Sequence, residues 1–123
     1  MTREGFIKKL DDLGYSYVLD GDKIVVTHYT NVYLNNITEL PDNVCFANGA
    51  SVYLSNLVKL SKGLEFRNLG SVNMSLIKDF SGALFANRES VWTESFNNIN
   101  WECNIPGIRK GVLFGLMVKR GLI

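Results

Sequence analysis

Val32-Tyr33-Leu34-Asn35-Asn36-Ile37-Thr38-Glu39-Leu40-Pro41 and Val52-Tyr53-Leu54-Ser55-Asn56-Leu57-Val58-Lys59-Leu60-Ser61 are one pattern written twice, 20 residues apart. The pattern runs on beyond each decapeptide and opens again at Val72-Asn73-Met74 and, as a partial copy, at Val91. Equivalent positions carry Leu34, Leu54, Met74 and Thr93; Ile37, Leu57, Ile77 and Phe96; Leu40, Leu60, Phe80 and Ile99; Phe46, Phe66 and Phe85; and Asn48, Asn68 and Asn87. Read backwards, Ile24, Val26 and His28 take the places of Val44, Phe46 and Asn48, so a half-unit precedes the first full copy. The third copy is one residue short near Ser81-Gly82 and then resumes register, a loss that a turn tolerates.

A unit this small cannot bury its own apolar face and must lean on its neighbours, so the repeat predicts a stack of coils. The expected fold is mainly β, a short β-solenoid of about four 20-residue coils. Period-two alternation in Val-x-Leu and in apolar-x-Phe-x-Asn places two short strands in each coil. The corners between them fall at Asn48-Gly49 and Leu69-Gly70, where the glycines suggest positive φ angles. Ile37 to Leu40 has a spacing of three, which suits a single turn better than a strand, and Pro41 helps to stop it there.

Stack ends need covers. At the N-terminus, Thr2 is a helix cap for a segment through about Leu13, with Phe6, Ile7, Leu10 and Leu13 on its apolar side and Gly14 as its stop. Tyr15 to Leu19 and Lys23 to Thr27 then flank Asp20-Gly21-Asp22, a hairpin signal. At the other end, Ile108, Val112, Leu113, Leu116 and Met117 recur at helical spacing, with Lys119 and Arg120 suited to a helix C-terminus, although Gly111 and Gly115 weaken that helix. The expected organisation is a single domain over 1–123: an N-terminal helix-hairpin cap over 1–28, repeat coils over 29–100 and a helical cap over 101–123.

Composition fits one compact folded chain. Of its 123 residues 46% are hydrophobic, enough for a core, and a net charge of +1 promises neither nucleic-acid steering nor an acidic mimic surface. No secretory signal or long apolar run is present, so no membrane is expected and the expected location is the cytoplasm, where Cys45 and Cys103 stay reduced.

The order of a capped helix, Leu13-Gly14-Tyr15, Gly21-Asp22-Lys23-Ile24-Val25-Val26-Thr27-His28, the Val-Tyr-Leu-x-x-Leu-x-x-Leu-Pro units and a closing Gly107-Ile108 with Met117-x-x-x-Gly121-Leu122 resembles small leucine-rich-repeat-like proteins of bacteriophages and bacteria. The likeness covers nearly the whole chain and is specific for architecture. Such proteins are mostly of unassigned function, so no functional residue is carried over. What the resemblance implies is a phage origin, residence in a host cytoplasm and a role directed at a host protein or defence component.

Among the polar positions, Asn48, Asn68 and Asn87 share the inward alternation of the phenylalanines and read as an Asn ladder that satisfies backbone groups at a corner. His28, the lone histidine, falls in the same column and reads as its end cap rather than as a catalytic base. Asp20-Gly21-Asp22 lacks the later Glu of a calcium loop, two Cys and one His do not make a zinc quartet, phosphate-binding glycine signatures are missing, and Ser55 and Ser75 are locked to the period. No catalytic residue, metal or cofactor is expected, and the chain reads as a non-enzyme.

The second position of the repeat is different. It carries Tyr33, Tyr53, Asn73 and Trp92, which point outward because the residues on either side point inward, with Asn35, Ser55 and Ser75 as a polar flank. Exposed Tyr and Trp are favoured interface anchors, while stacked cross-strand aromatics also stabilise a sheet without any partner. The leading expectation is a protein-interaction module using this column. Two alternatives stand beside it. One is a homo-oligomeric structural protein, suggested by Trp92, Phe96, Trp101 and the apolar C-terminal stretch. The weaker one is nucleic-acid binding through Arg109, Lys110, Lys119 and Arg120, of which Arg109 and Arg120, eleven apart, share a helix face.

Overall fold

The computed structural model describes residues 1–74, 76–77, 83–89 and 91–92, with Trp92 described through its backbone alone. The fold is mainly β, with one short N-terminal helix. The expected C-terminal helix, Phe96, Trp101, Cys103 and the basic positions 109, 110, 119 and 120 lie outside the described residues.

Helix α1 (Arg3–Leu13) begins and ends where its sequence signals place it. The Thr2 side chain accepts from Gly5 N–H, and Gly14 follows the last turn at φ 73°. The N–H groups of Gly14 and Tyr15 return to the carbonyls of Asp11 and Leu10, closing the helix with the paired bonds of a Schellman motif. Phe6 and Leu10 are buried in the core, but Leu13 is 44% exposed and does not join the apolar side expected of it. The chain then forms a hairpin of β1 (Tyr17–Asp20) and β2 (Lys23–Val26), paired antiparallel with Asp20 opposite Lys23. Its loop is therefore the two residues Gly21 and Asp22, one shorter than the Asp20–Asp22 expected, with Gly21 at φ 58° in the first loop position.

Beyond the hairpin every pairing is parallel. Strands β4 (Val44–Phe46), β6 (Leu64–Phe66) and β8 (Ala83–Phe85) extend the hairpin into a five-stranded sheet, β1-β2-β4-β6-β8. Strands β3 (Val32–Tyr33), β5 (Val52–Tyr53), β7 (Val72–Asn73) and β9 (Val91–Trp92) form a second sheet, β3-β5-β7-β9. Val32 lies beside Val52 and Val52 beside Val72, so neighbours in space are 20 apart in sequence. Leu64 lies beside Ala83 and Val72 beside Val91, an offset of 19 that puts the missing residue between β7 and β8. The single turns fall at Leu34 to Ile37 and at Leu54 to Leu57, each closed by one N–H to the carbonyl three residues back, one step earlier than the Ile37 to Leu40 stretch expected, which holds only a bend at Thr38.

One core cluster runs between the two sheets. Val32, Val52, Val72 and Val91 are fully buried, as are Leu54, Leu57, Ile77 and the three phenylalanines. Phe46 stacks on Phe66 at a centroid distance of 5.4 Å, and Phe66 on Phe85 at 5.1 Å, with nearly parallel rings. Beside them Asn48, Asn68 and Asn87 are buried at 0% exposure. The Nδ2 of Asn68 donates to Ala50 O of the preceding repeat unit at 2.9 Å and to Ser71 O of its own at 3.0 Å; Asn48 and Asn87 also donate to the units before them, at Thr30 O and Gly70 O. Each amide thus adds a second donor to corner carbonyls: Ser71 O also accepts from Val52 N–H, and Ala50 O from Gly70 N–H.

Two expectations are corrected here. The corner glycines Gly49 and Gly70 do not have positive φ: among the described residues the left-handed positions are Gly14, Gly21, Gly63 and Asn43, the last two equivalent in the repeat. Gly49 is needed for close approach instead, since a Cβ there would lie 2.1 Å from Tyr29 O. His28 does not cap the Asn ladder through its imidazole. Thr30 O takes the amide of Asn48, while His28 sits half-buried between the rings of Tyr15 and Tyr29 and its Nδ1 faces Ser16 N–H at 3.4 Å.

The column carries a specific prediction. Asn68→Ala should destabilise the fold by about 1–3 kcal/mol by removing two buried hydrogen bonds, one of them to the preceding repeat unit, and the volume of the amide, measured by chemical denaturation. Asn68→Asp should cost more at neutral pH, because a carboxylate cannot donate and would face the same two carbonyl oxygens. The folded state raises the pKa of that carboxyl, so the variant should regain stability as pH falls towards the ordinary carboxylate range, the reverse of the usual acid response.

Candidate functional site

The β3-β5-β7-β9 sheet positions the second-position column. Val32 and Leu34 point inward and are buried, so Tyr33 between them points out and is 53% exposed. Tyr53 and Asn73 follow it across the sheet, both half-buried, and the backbone of Trp92 continues the row beside Asn73. The rings of Tyr33 and Tyr53 stack at 4.7 Å with planes 11° apart. That distance is the spacing of neighbouring strands, so the stack follows from the parallel register.

Polar ladders border the stack on both sides. Asn31, Ser51 and Ser71 make one: Asn31 Oδ1 accepts from Ser51 N–H at 2.9 Å, and the Ser51 and Ser71 hydroxyls meet at 3.0 Å. Asn31 Nδ2 also reaches Tyr33 Oη at 3.1 Å, and Asn73 Nδ2 reaches Ser71 Oγ at 3.2 Å. On the other side Asn35 Oδ1 accepts from both the N–H and the hydroxyl of Ser55. The side chains named on this face are uncharged. The bonds between coils fix rotamers in advance, so little side-chain entropy remains to be lost on contact with a partner.

Sequence reasoning missed the part that Tyr15 plays. Its hydroxyl accepts from Tyr33 N–H at 2.9 Å and lies 3.5 Å from Tyr33 O, within reach to donate to it, so one phenol takes the place of a neighbouring strand at the outer edge of β3. The Tyr15 ring also packs on His28 at 4.9 Å, and His28 on Tyr29 at 4.7 Å; Tyr29 is 82% exposed. The aromatic surface therefore extends past the repeat column around the N-terminal end of the stack. Tyr15 lies outside the repeat, and only a neighbour 18 residues away in sequence reveals its role.

The opposite sheet carries a row that the sequence reading left aside. Val18, Val25, Cys45, Glu65 and Leu84 stand side by side on its outer face. Lys23 Nζ reaches Glu65 Oε2 at 2.7 Å, and Arg67 holds the other oxygen at 3.0 Å. The bond from Lys23, with help from Arg67, holds the Glu65 carboxyl below its ordinary range despite partial burial, while Glu65 raises Lys23. Cys45 is buried, and burial first and the Glu65 charge second push its thiol up. Both effects disfavour the thiolate, the nucleophilic form of the side chain. At the hairpin turn, Arg3 donates to the carbonyls of Gly21 and Asp22.

Family models, curated proteins and solved structures give no match to this chain. Among the described residues no group of three or more His, Cys, Asp or Glu side chains converges on a point, and no helix is long and apolar enough to cross a membrane.

The Cys45 row supplies a second prediction. With Cys103→Ser removing the other thiol, Cys45 in the folded chain should react slowly with a thiol reagent at neutral pH. Glu65→Gln should speed that reaction several-fold by removing the negative charge that disfavours the thiolate. An unchanged rate would mean that burial alone controls the thiol. For stability, Glu65 and Glu39 are both lowered by lysine partners, so their contribution is present above the ordinary carboxylate value and is lost as pH falls through the depressed folded values.

Proposed function

We propose that this chain is a non-enzymatic protein-interaction module: a short leucine-rich-repeat-like β-solenoid whose flat face, centred on Tyr33, Tyr53, Asn73 and Trp92, engages another protein. The observation that carries the reading is the half-exposed Tyr33–Tyr53 stack on a face whose polar groups are held by bonds between coils. The core is complete without Tyr33, since inward Val32 and Leu34 already bury that strand. A large aromatic left half in water is more than the fold asks for. Tyr rings combine large contact area with few rotors, which suits them to anchor a partner. The resemblance to phage proteins gives this partner a direction, a host protein that the module would occupy or inhibit.

The test compares wild type with Tyr33→Ala/Tyr53→Ala as bait in a lysate of the host, with partners identified by mass spectrometry. Wild type should retain one partner that the double variant loses, with both proteins giving the same circular dichroism spectrum. Because the face is uncharged, retention should survive a rise in salt that would strip a phosphate-dependent complex. No partner, or equal capture by both baits, overturns the proposal. Loss of a bound nucleic acid at moderate salt would favour the basic C-terminal positions instead.

A further inference from the structure

The N-terminal side of the structure has two sheet edges, and they are treated differently. At β3 the outward groups are the N–H and C=O of Tyr33, because Val32 and Leu34 donate inward to Ser51 O and Tyr53 O, and Tyr15 covers them. At β1 no such cover exists among the described residues. Thr27 N–H bonds Ser16 O at 2.9 Å, and Tyr17 pairs with Val26 and Leu19 with Ile24, so Ser16, Val18 and Asp20 turn their backbone towards β2. Tyr17 and Leu19 therefore turn theirs to the open side. Val18 is 52% exposed and Leu19 55%, on opposite faces of the strand. The stretch Tyr17-Val18-Leu19 has no lysine, proline or bulge, the usual devices that blunt a free edge.

We propose that β1 is a self-association edge on which a second copy of this chain lays its own β1, antiparallel, about a twofold axis through Val18. The register is set by the strand itself. Centring on Val18 puts Tyr17 opposite Leu19 of the second copy and Leu19 opposite its Tyr17, so the outward groups of each copy meet in reciprocal hydrogen-bonded pairs. Val18 then faces its equivalent in the intervening pair, where side chains approach most closely. On the inner face each exposed leucine is covered by a tyrosine ring, a favourable cross-strand pair. Asp20 falls opposite Ser16, so the pairing brings no two carboxylates together. An unrelated strand would have to supply each of these features separately, whereas a second copy supplies all of them by symmetry. The surface is distinct from the tyrosine face and does not depend on its role.

The test is light scattering together with cross-linking on the full chain. Wild type should rise towards twice the monomer mass with concentration, and Leu19→Lys should stay at the monomer mass with an unchanged circular dichroism spectrum, since Leu19 is exposed. In a Cys45→Ala/Cys103→Ser background, Val18→Cys should form a covalent dimer on mild oxidation, the facing Cα atoms being about 4.5 Å apart in such a pair. Ser16→Cys in the same background should not, because its counterpart is Asp20. A wild type that stays monomeric at high concentration, a dimer indifferent to Leu19→Lys, or equal cross-linking at positions 16 and 18 would each overturn the proposal. Tyr33→Ala/Tyr53→Ala should leave the mass unchanged, which separates this edge from the interaction face.

Discussion

Everything in this structure depends on hydrogen bonds that reach from one 20-residue unit to the next. A single unit has two strands of two or three residues, which lie in different sheets and do not pair with one another. Each strand finds its partner in the adjacent unit, and at the corner the buried asparagine amide adds its own bonds to those of the backbone. The asparagine and phenylalanine columns are complementary halves of one device. The rings fill volume along the axis, and the amides tie the turning backbone of one unit to that of the next. Removing either would leave the other without its reason to be buried.

The same constraint explains the outer surfaces. When inward positions are fixed at every second residue, whatever lies between them must line up in rows on the outside, at the strand spacing. Tyr33 stacks on Tyr53 because their neighbours are locked, and Val18, Val25, Cys45, Glu65 and Leu84 form a row for the same reason. A row of like residues is thus a product of the register, and only its exposure says whether it has a further use. Cys45 is buried and tied into packing; Tyr33 is not.

Much of this was legible in the sequence, because repeats report their own register. The columns, the helix from its Thr2 cap to Gly14, the hairpin at Gly21 and the place of the missing residue all follow from local signals or from alignment of the copies. What was not legible lies where one partner is outside the repeat. His28 sits in the Asn48 position by alignment, but Tyr15 and Tyr29 hold its ring, and Thr30 already provides the carbonyl that Asn48 needs. Gly49 reads as a conformational glycine, yet the reason for it is the carbonyl of Tyr29, which occupies the place a β-carbon would take. The candidate face was visible as a column; its edge closure by Tyr15 was not.

That closure has a consequence for how such a chain changes in length. The phenol of Tyr15 recognises one backbone N–H and one C=O, groups that any residue at the same position would present. The cover is indifferent to which unit lies beneath it, and the units are matched to one another. Gene duplication of one 20-residue segment would therefore add a storey without disturbing the end, and the length of the tyrosine-bearing sheet would grow or shrink in steps of one strand spacing while its terminus kept the same chemistry.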